Sequence, residues 1–459
     1  MRSTLVTAFF SSLMLICLSG ASSAQTAGSA ASVPSGPAGY VRMPAVPVAS
    51  VQTPSAAPLL VFPAGAATSR GSVSVDANAA GSGPGHNAPA TAAGSTSSPI
   101  GGVITGLDTV PTFAGAFAGQ AGPSLGVVFP FVMVGDDPRV GGTTRIPTQI
   151  TAVSLKLLNA DGTLNATMPF APFEDLTEDS PNFEEATYTS GHNIQYGDAV
   201  QRAEFFKSMD EDWHTVLGEP RFVNRVTFTI PAFVNVQFPD GSIKAVQAYY
   251  LRHAPNGDPW IELLDLLFGA LNDNQVVTDI NAGNFTTGAL NVNMYPDTFL
   301  FSIDLQGQKA SCCVLGYHTY FYDPSATPQP RWLFDFASWI SPGIFSGGFQ
   351  DITALSHEIS ETLNDPFVNT ATPVWQFPGV PATAQICQGN LETGDPVEVL
   401  SSATVNIKLR ERNEVFTYHP QTEALLQWFE MGVKSDAIGG AFSYPNTAAL
   451  PHSALPCPQ

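Results

Sequence analysis

The chain has 459 residues and a formal net charge of −21, from 39 acidic against 18 basic side chains. That imbalance, with no basic stripe, excludes nucleic acid and anionic membrane surfaces as partners. Charged residues make up only 12% of the chain, while Gly, Pro and Phe number 40, 38 and 30. This suits a loop-rich, strand-rich exported protein better than a helical bundle.

In chain order, Met1-Arg2 leads into an apolar run from Leu5 to Leu18, followed by the small residues Ser22-Ser23-Ala24. This pattern predicts a secretory signal peptide over 1–24, because the run is too short to span a bilayer. No later apolar run reaches spanning length, so the expectation is export without membrane insertion, to the periplasm or the extracellular space. Cys312, Cys313, Cys387 and Cys457 then remain, an even number that predicts two disulfides. The adjacent pair could bond to each other. The expectation is instead that each reaches a distant partner, tying Cys387 and Cys457 to one region.

Residues 25–100 are almost entirely Ala, Ser, Gly, Pro, Thr and Val, which predicts a disordered linker or stalk. A β-rich region is expected over 101–255. It begins with a buried strand at Val127–Val134 that ends at Gly135-Asp136-Asp137-Pro138. Hairpins are predicted around Asn159-Ala160-Asp161-Gly162 and around Pro239-Asp240-Gly241. Between them, Asp198 to Leu217 has helical spacing.

An α+β region is expected over 256–459, which could form a single domain with 101–255. Asp258-Pro259 reads as the start of a helix running to residue 271. Strands follow at Thr298–Leu305, Val314–Tyr322 and Arg331–Ile340, then a helix from about Asp351 to Asn364, stopped by Pro366. Short strands near Thr404–Leu409 and Val415–Tyr418 complete the chain.

That last helix carries His357-Glu358-Ile359-Ser360-Glu361, which has the layout of an H-E-x-x-H zinc helix with Glu361 in place of the second histidine. At 100° per residue, Ile352, Leu355, Ile359 and Leu363 form one packing stripe. His357, Glu358, Glu361 and Asp365 lie opposite, as in a metal-site helix and equally in an ordinary helix with a solvated face. No Lys or Arg lies on that polar face, so its carboxylates repel one another unless a cation joins them. Zinc needs a third protein ligand if water is to fill the fourth position. The candidates are Glu392, Asp395 and His318. A bland alternative stands beside each: a capped acidic turn for Glu392 and Asp395, a hydrogen-bonded strand histidine for His318. Asp365, Asn369 and Asp395 offer the hard oxygens of a calcium site, although no EF-hand-type loop accompanies them.

The block His357, Glu358, Glu361, Asp365, Pro366 resembles the H-E-x-x-E-x-x-x-[DN]-P motif of secreted zincin-like proteins. Together with the later Glu392 and Asp395, it is similar to the plant phosphate-induced (EXORDIUM-like) proteins. GDAVQRAEFF at 197–206, CCVLGYH at 312–318 and QTEALLQWF at 421–429 look like segments of exported bacterial proteins. The resemblance implies secretion and a zincin-like scaffold, in which a twisted sheet lies beside the metal helix and an edge strand lines the cleft.

The resulting expectation is a secreted zinc-dependent hydrolase acting on peptides or proteins. His357 and Glu361 would bind Zn²⁺, with Glu392 or Asp395 completing the site, and Glu358 would be general base toward the bound water. The alternative is a non-catalytic extracellular or cell-surface protein whose site is structural, calcium-filled or empty. A carbohydrate-binding wall module ranks third.

Overall fold

Thr143–Leu158 (β1) begins with strict alternation of exposed and buried residues and becomes buried on both faces in its middle. That change marks a strand passing from the margin of a sheet into its covered centre. In a computed structural model of the protein, residues 45–48, 59–61 and 107–457 are described, apart from 189, 346–347, 380–386, 399 and 412–413. The predicted signal peptide lies outside the described residues, as does most of the predicted linker.

β1 lies within a mixed sheet with His214–Ile230 (β2), Leu290–Pro296 (β3), Gly316–Tyr322 (β4) and Gln329–Trp339 (β5). The order across the sheet is β2-β1-β3-β5-β4. The first four are mutually parallel, and β4 runs antiparallel to β5. Strands from both sides of residue 255 therefore share one sheet, and its hydrogen-bonded ladder crosses that boundary where β3 pairs with β1. Two pieces of the predicted linker add to sheets: Val46–Pro47 pairs with the end of β4, and Leu60–Val61 with Phe233–Gln237. The second piece comes from the apolar run Leu59-Leu60-Val61, and Leu60 is buried.

Alternation along the strands builds a core on each face. One face gathers Ile150, Val292, Met294, Leu333 and Ala337 against the helix Thr353–Asn364 (α3), whose Ile359 and Leu363 pack into it. The other gathers Val153, Leu155, Tyr295, Phe334 and Phe336 against the helix Asp265–Ala282 (α2). A third helix, Tyr196–Glu204 (α1), fits closely beside α3, and a Cβ on its Gly197 would overlap the Leu363 side chain.

Both predicted hairpins form, with Leu158 pairing with Leu164 and Gln237 with Ile243. Two helix expectations are corrected. Residues 259–264 form a strand between Tyr249–His253 and Thr298–Ile303, and the helix starts at Asp265. The apolar run Trp260-Ile261-Glu262-Leu263-Leu264 satisfies a covered strand as well as a helix. The helix expected over 198–217 ends at Glu204, and β2 begins at His214.

The disulfide expectation is corrected as well. Cys312 bonds to its neighbour Cys313, and Cys387 bonds to Cys457. The two pairs lie on different elements, Lys309–Val314 for the first and Cys387–Asn390 with the C-terminal tail for the second. Among the described residues, no helix is long and apolar enough to cross a membrane.

Candidate metal centre

The polar side of α3 does not face solvent. Glu358 and Glu361 are 4% and 3% exposed, which removes the solvated-face alternative. The covering comes from β4 on one side and the segment 391–395 on the other. Strand alternation turns His318 of β4 toward α3, in register with the buried Asp335 of β5.

Glu361 sits at the middle of the cluster. Its Oε2 is 3.2 Å from His357 Nε2, one helical turn away, and 3.2 Å from His318 Nδ1. Its Oε1 accepts a hydrogen bond from Gly394 N at 3.0 Å. His357 Nε2 also lies 3.8 Å from Asp395 Oδ1 and 3.9 Å from Glu358 Oε1. His318 Nδ1 is 3.8 Å from Glu358 Oε2, while its Nε2 faces Glu392 Oε2 at 3.9 Å. The ligand-type atoms of His357, Glu361 and Asp395 thus converge, as do those of His318, Glu358 and Glu361.

The ring orientations suit metal ligation. His357 Nδ1 is 3.2 Å from Gln421 Oε1, and the Gln421 amide is fixed because its Nε2 donates to Gly394 O at 2.7 Å. Nδ1 is therefore the protonated nitrogen of neutral His357, and Nε2 presents its lone pair to the carboxylates. Imidazole ligands commonly donate their second N–H to an oxygen in this way. Glu392 is placed to receive the second N–H of His318.

Asp365 does not join the cluster. Its carboxylate accepts from Asn369 N, Thr370 N and Thr370 Oγ1, closing the turn after α3. The oxygen set suggested for calcium is thus divided, with Asp365 in this turn and Asp395 beside His357.

Among the described residues, charge is concentrated here without an ion pair to Lys or Arg. Every ion pair that Glu358, Glu361 and Asp395 make among the described residues is to a histidine. Burial pushes the Asp395 carboxyl well up, and Glu361 and Glu392 push it further. Burial also raises Glu358, against the pull of His357 and His318. For Glu361 burial acts upward too, but the two flanking imidazoles prevail and hold it below the ordinary carboxylate range. Burial alone would lower both histidines, yet the surrounding carboxylates raise them well above the usual imidazole value.

Within the two converging histidine–carboxylate sets and the Asp335 beside them, His318 Nε2, Glu358 Oε2 and Asp335 Oδ2 are buried without a hydrogen-bond partner. Such groups are costly to leave unpaired. A cavity of about 40 Å³ opens onto the centre, lined by Cys313, Gly316, Phe349, His357, Glu358 and Asp395. Two glycines make room for the cluster. A Cβ on Gly394 would overlap the His357 ring, and one on Gly316 would overlap the Glu358 carboxylate and the Phe336 carbonyl.

No family model, curated protein or solved structure matches this chain. The chemistry of the centre is therefore read from its own side chains.

Sequence reasoning missed Gln421, Asp335 and Glu423. Asp335 accepts from Thr362 Oγ1 of α3 at 2.6 Å. Glu423 is fully buried and accepts from Tyr196 OH at 2.7 Å. A usable signal existed in the three quoted blocks. CCVLGYH carries Cys313 and His318, QTEALLQWF carries Gln421 and Glu423, and GDAVQRAEFF supplies most of α1, which holds α3 through Gln201 Nε2 donating to Leu363 O at 3.1 Å.

Proposed function

We propose that the chain is an exported, zincin-like, zinc-dependent hydrolase whose substrates are peptides. The observation that carries this reading is the centre itself, in which two imidazoles and four carboxylates are buried together with orphaned atoms and, among the described residues, no ion pair to Lys or Arg. A divalent cation would satisfy what the protein leaves unsatisfied. Imidazole in each converging set favours zinc over calcium, which takes oxygen ligands. His357, Glu361 and Asp395 would hold the ion, His357 through Nε2. When bound, zinc supplies Lewis acidity and lowers the pKa of an attached water.

Glu358 borders the cavity and burial raises its carboxyl, which suits the role of general base and then acid. Gln421 keeps His357 in one tautomer, and Gly394 N orients Glu361. The order of the sheet supports a zincin-like scaffold, because the antiparallel strand β4, covered on its outer side among the described residues only at Phe321 and Tyr322 by Val46–Pro47, lies beside the metal helix. The two disulfides suit an oxidising compartment, in keeping with export.

Metal analysis of the purified protein paired with Glu358→Gln tests the reading. Bound zinc is expected, with casein or peptide-library cleavage that falls at least about 100-fold in Glu358→Gln while zinc is retained. Absence of zinc overturns the metal assignment. Cleavage unchanged in Glu358→Gln overturns the catalytic one. A second reading, a structural ion in a non-catalytic protein, draws support from the small cavity, which has room for little more than water.

A further inference from the structure

We propose that the centre is dinuclear, with Glu361 bridging two divalent ions, one held by His357 and Asp395 and the other by His318 and Glu358. This rests on reading the cluster as a metal centre and extends it to a second ion.

The geometry around Glu361 points to two ions. Two ligands on one tetrahedral ion with bonds of about 2.0–2.1 Å stand roughly 3.3 Å apart. Glu361 Oε2 lies 3.2 Å from an imidazole nitrogen on each side, His357 Nε2 and His318 Nδ1. Those two imidazoles do not close around a common point. Among the described residues, no set of ligand atoms within 4.8 Å of one another contains both histidines. Ligands opposite one another on an octahedral ion with bonds of about 2.1 Å are only roughly 4.2 Å apart. One zinc-sized ion therefore cannot take both imidazoles in this arrangement, whereas two ions sharing Glu361 can.

The second set also contains the unsatisfied atoms. Glu358 Oε2 and His318 Nε2 are buried without a hydrogen-bond partner, in residues that are each 4% exposed. An ion at His318 Nδ1 would take Glu358 Oε2 as a ligand, leave Glu358 Oε1, 3.9 Å from His357 Nε2, for proton transfer, and leave His318 Nε2–H to donate toward Glu392. A carboxylate accepting the second N–H is the usual support of a metal-bound imidazole. Gly316 keeps open the space that Glu358 occupies in this set.

Counting ions in the full-length protein tests this without any assay of activity. After zinc loading and desalting, elemental analysis is expected to find two zinc per chain in this centre, falling to one in His318→Gln and to one in Asp395→Asn. In the unaltered protein loaded with Mn²⁺, the electron paramagnetic resonance spectrum is expected to show an exchange-coupled pair, since bridged ions stand roughly 3.5–4 Å apart. One ion per chain at saturating zinc, an uncoupled Mn²⁺ spectrum, or two ions retained in His318→Gln would each overturn the second site. One ion that is lost in Asp395→Asn would leave the mononuclear centre standing. No ion at all would overturn both.

Discussion

Asp279, on the α2 face of the sheet, is buried as completely as any carboxylate of the candidate metal centre on the α3 face. Its two oxygens accept four hydrogen bonds, from Thr151 Oγ1, Asn224 Nδ2, Gln275 Nε2 and Asn284 Nδ2, at 2.8–2.9 Å. Neutral donors from two strands, the helix and the loop after it satisfy the charge completely. Around Glu361 the partners are two imidazoles and one backbone N–H, and the nearby buried atoms His318 Nε2, Glu358 Oε2 and Asp335 Oδ2 have no hydrogen-bond partner. Burial of a carboxylate is thus the same on both faces, and only the completeness of its hydrogen bonding differs. A finished network stabilises the fold, whereas an unfinished one of convergent ligand-type atoms is the pattern that supports a bound cation.

The largest expected separation between the faces comes from removing each central carboxylate. Glu361→Ala should abolish metal binding altogether in elemental analysis, with the far-ultraviolet circular dichroism retained. Asp279→Ala should leave the metal content unchanged and instead cost roughly 3–5 kcal/mol in denaturant unfolding, because four buried donors lose their acceptor. A variant of Asp279 that loses metal would break the comparison.

Glu204 is an intermediate case, buried with one oxygen accepting from Leu426 N at 2.9 Å and the other unpaired. Burial pushes its carboxyl from 4.5 up to about 8, opposed by that hydrogen bond. The folded protein then keeps a proton that the unfolded chain has released between those two values. Stability is therefore fully present below about pH 4.5 and falls as pH rises toward 8. Glu204→Gln should remove roughly 3 kcal/mol of the stability change between pH 5 and pH 8, read from denaturant midpoints. The smallest effect is expected from Gly394→Ala, whose new methyl presses on the His357 ring. Zinc affinity should drop about 10–100-fold in a competitive chelator titration, as for other supports of a metal ligand.

The α3 helix and its placement of His357, Glu358 and Glu361 were legible because a 3.6-residue period fixes which side chains share a face. The same rule placed Asp365 on that face but could not show its carboxylate turning back to cap Thr370. Strand alternation identified β4 and β5. It gave no means of knowing that His318 would face α3 rather than the opposite core. β3, the central strand, was not recognised because Leu-Asn-Val-Asn-Met-Tyr-Pro alternates Asn with apolar residues, as a half-exposed strand would. Its Asn residues are in fact buried. Asn291 Nδ2 donates to Leu333 O, and Asn293 Nδ2 donates to Asn272 Oδ1 of α2. The choice between Glu392 and Asp395 depended on a loop whose course no periodicity predicts, and the geometry gives them separate places, beside His318 and beside His357.

The Cys387–Cys457 bond spans 70 residues and encloses Glu392, Asp395, Gln421 and Glu423 within one covalent ring. Closing a ring of that size removes roughly 4 kcal/mol of chain entropy from the unfolded state in the loop-closure account. The ring also changes what a proteolytic cut would do. A single nick between residues 388 and 456 would leave two pieces still joined through sulfur, so the outer wall of the centre stays tethered to the rest of the chain where an open loop would be shed.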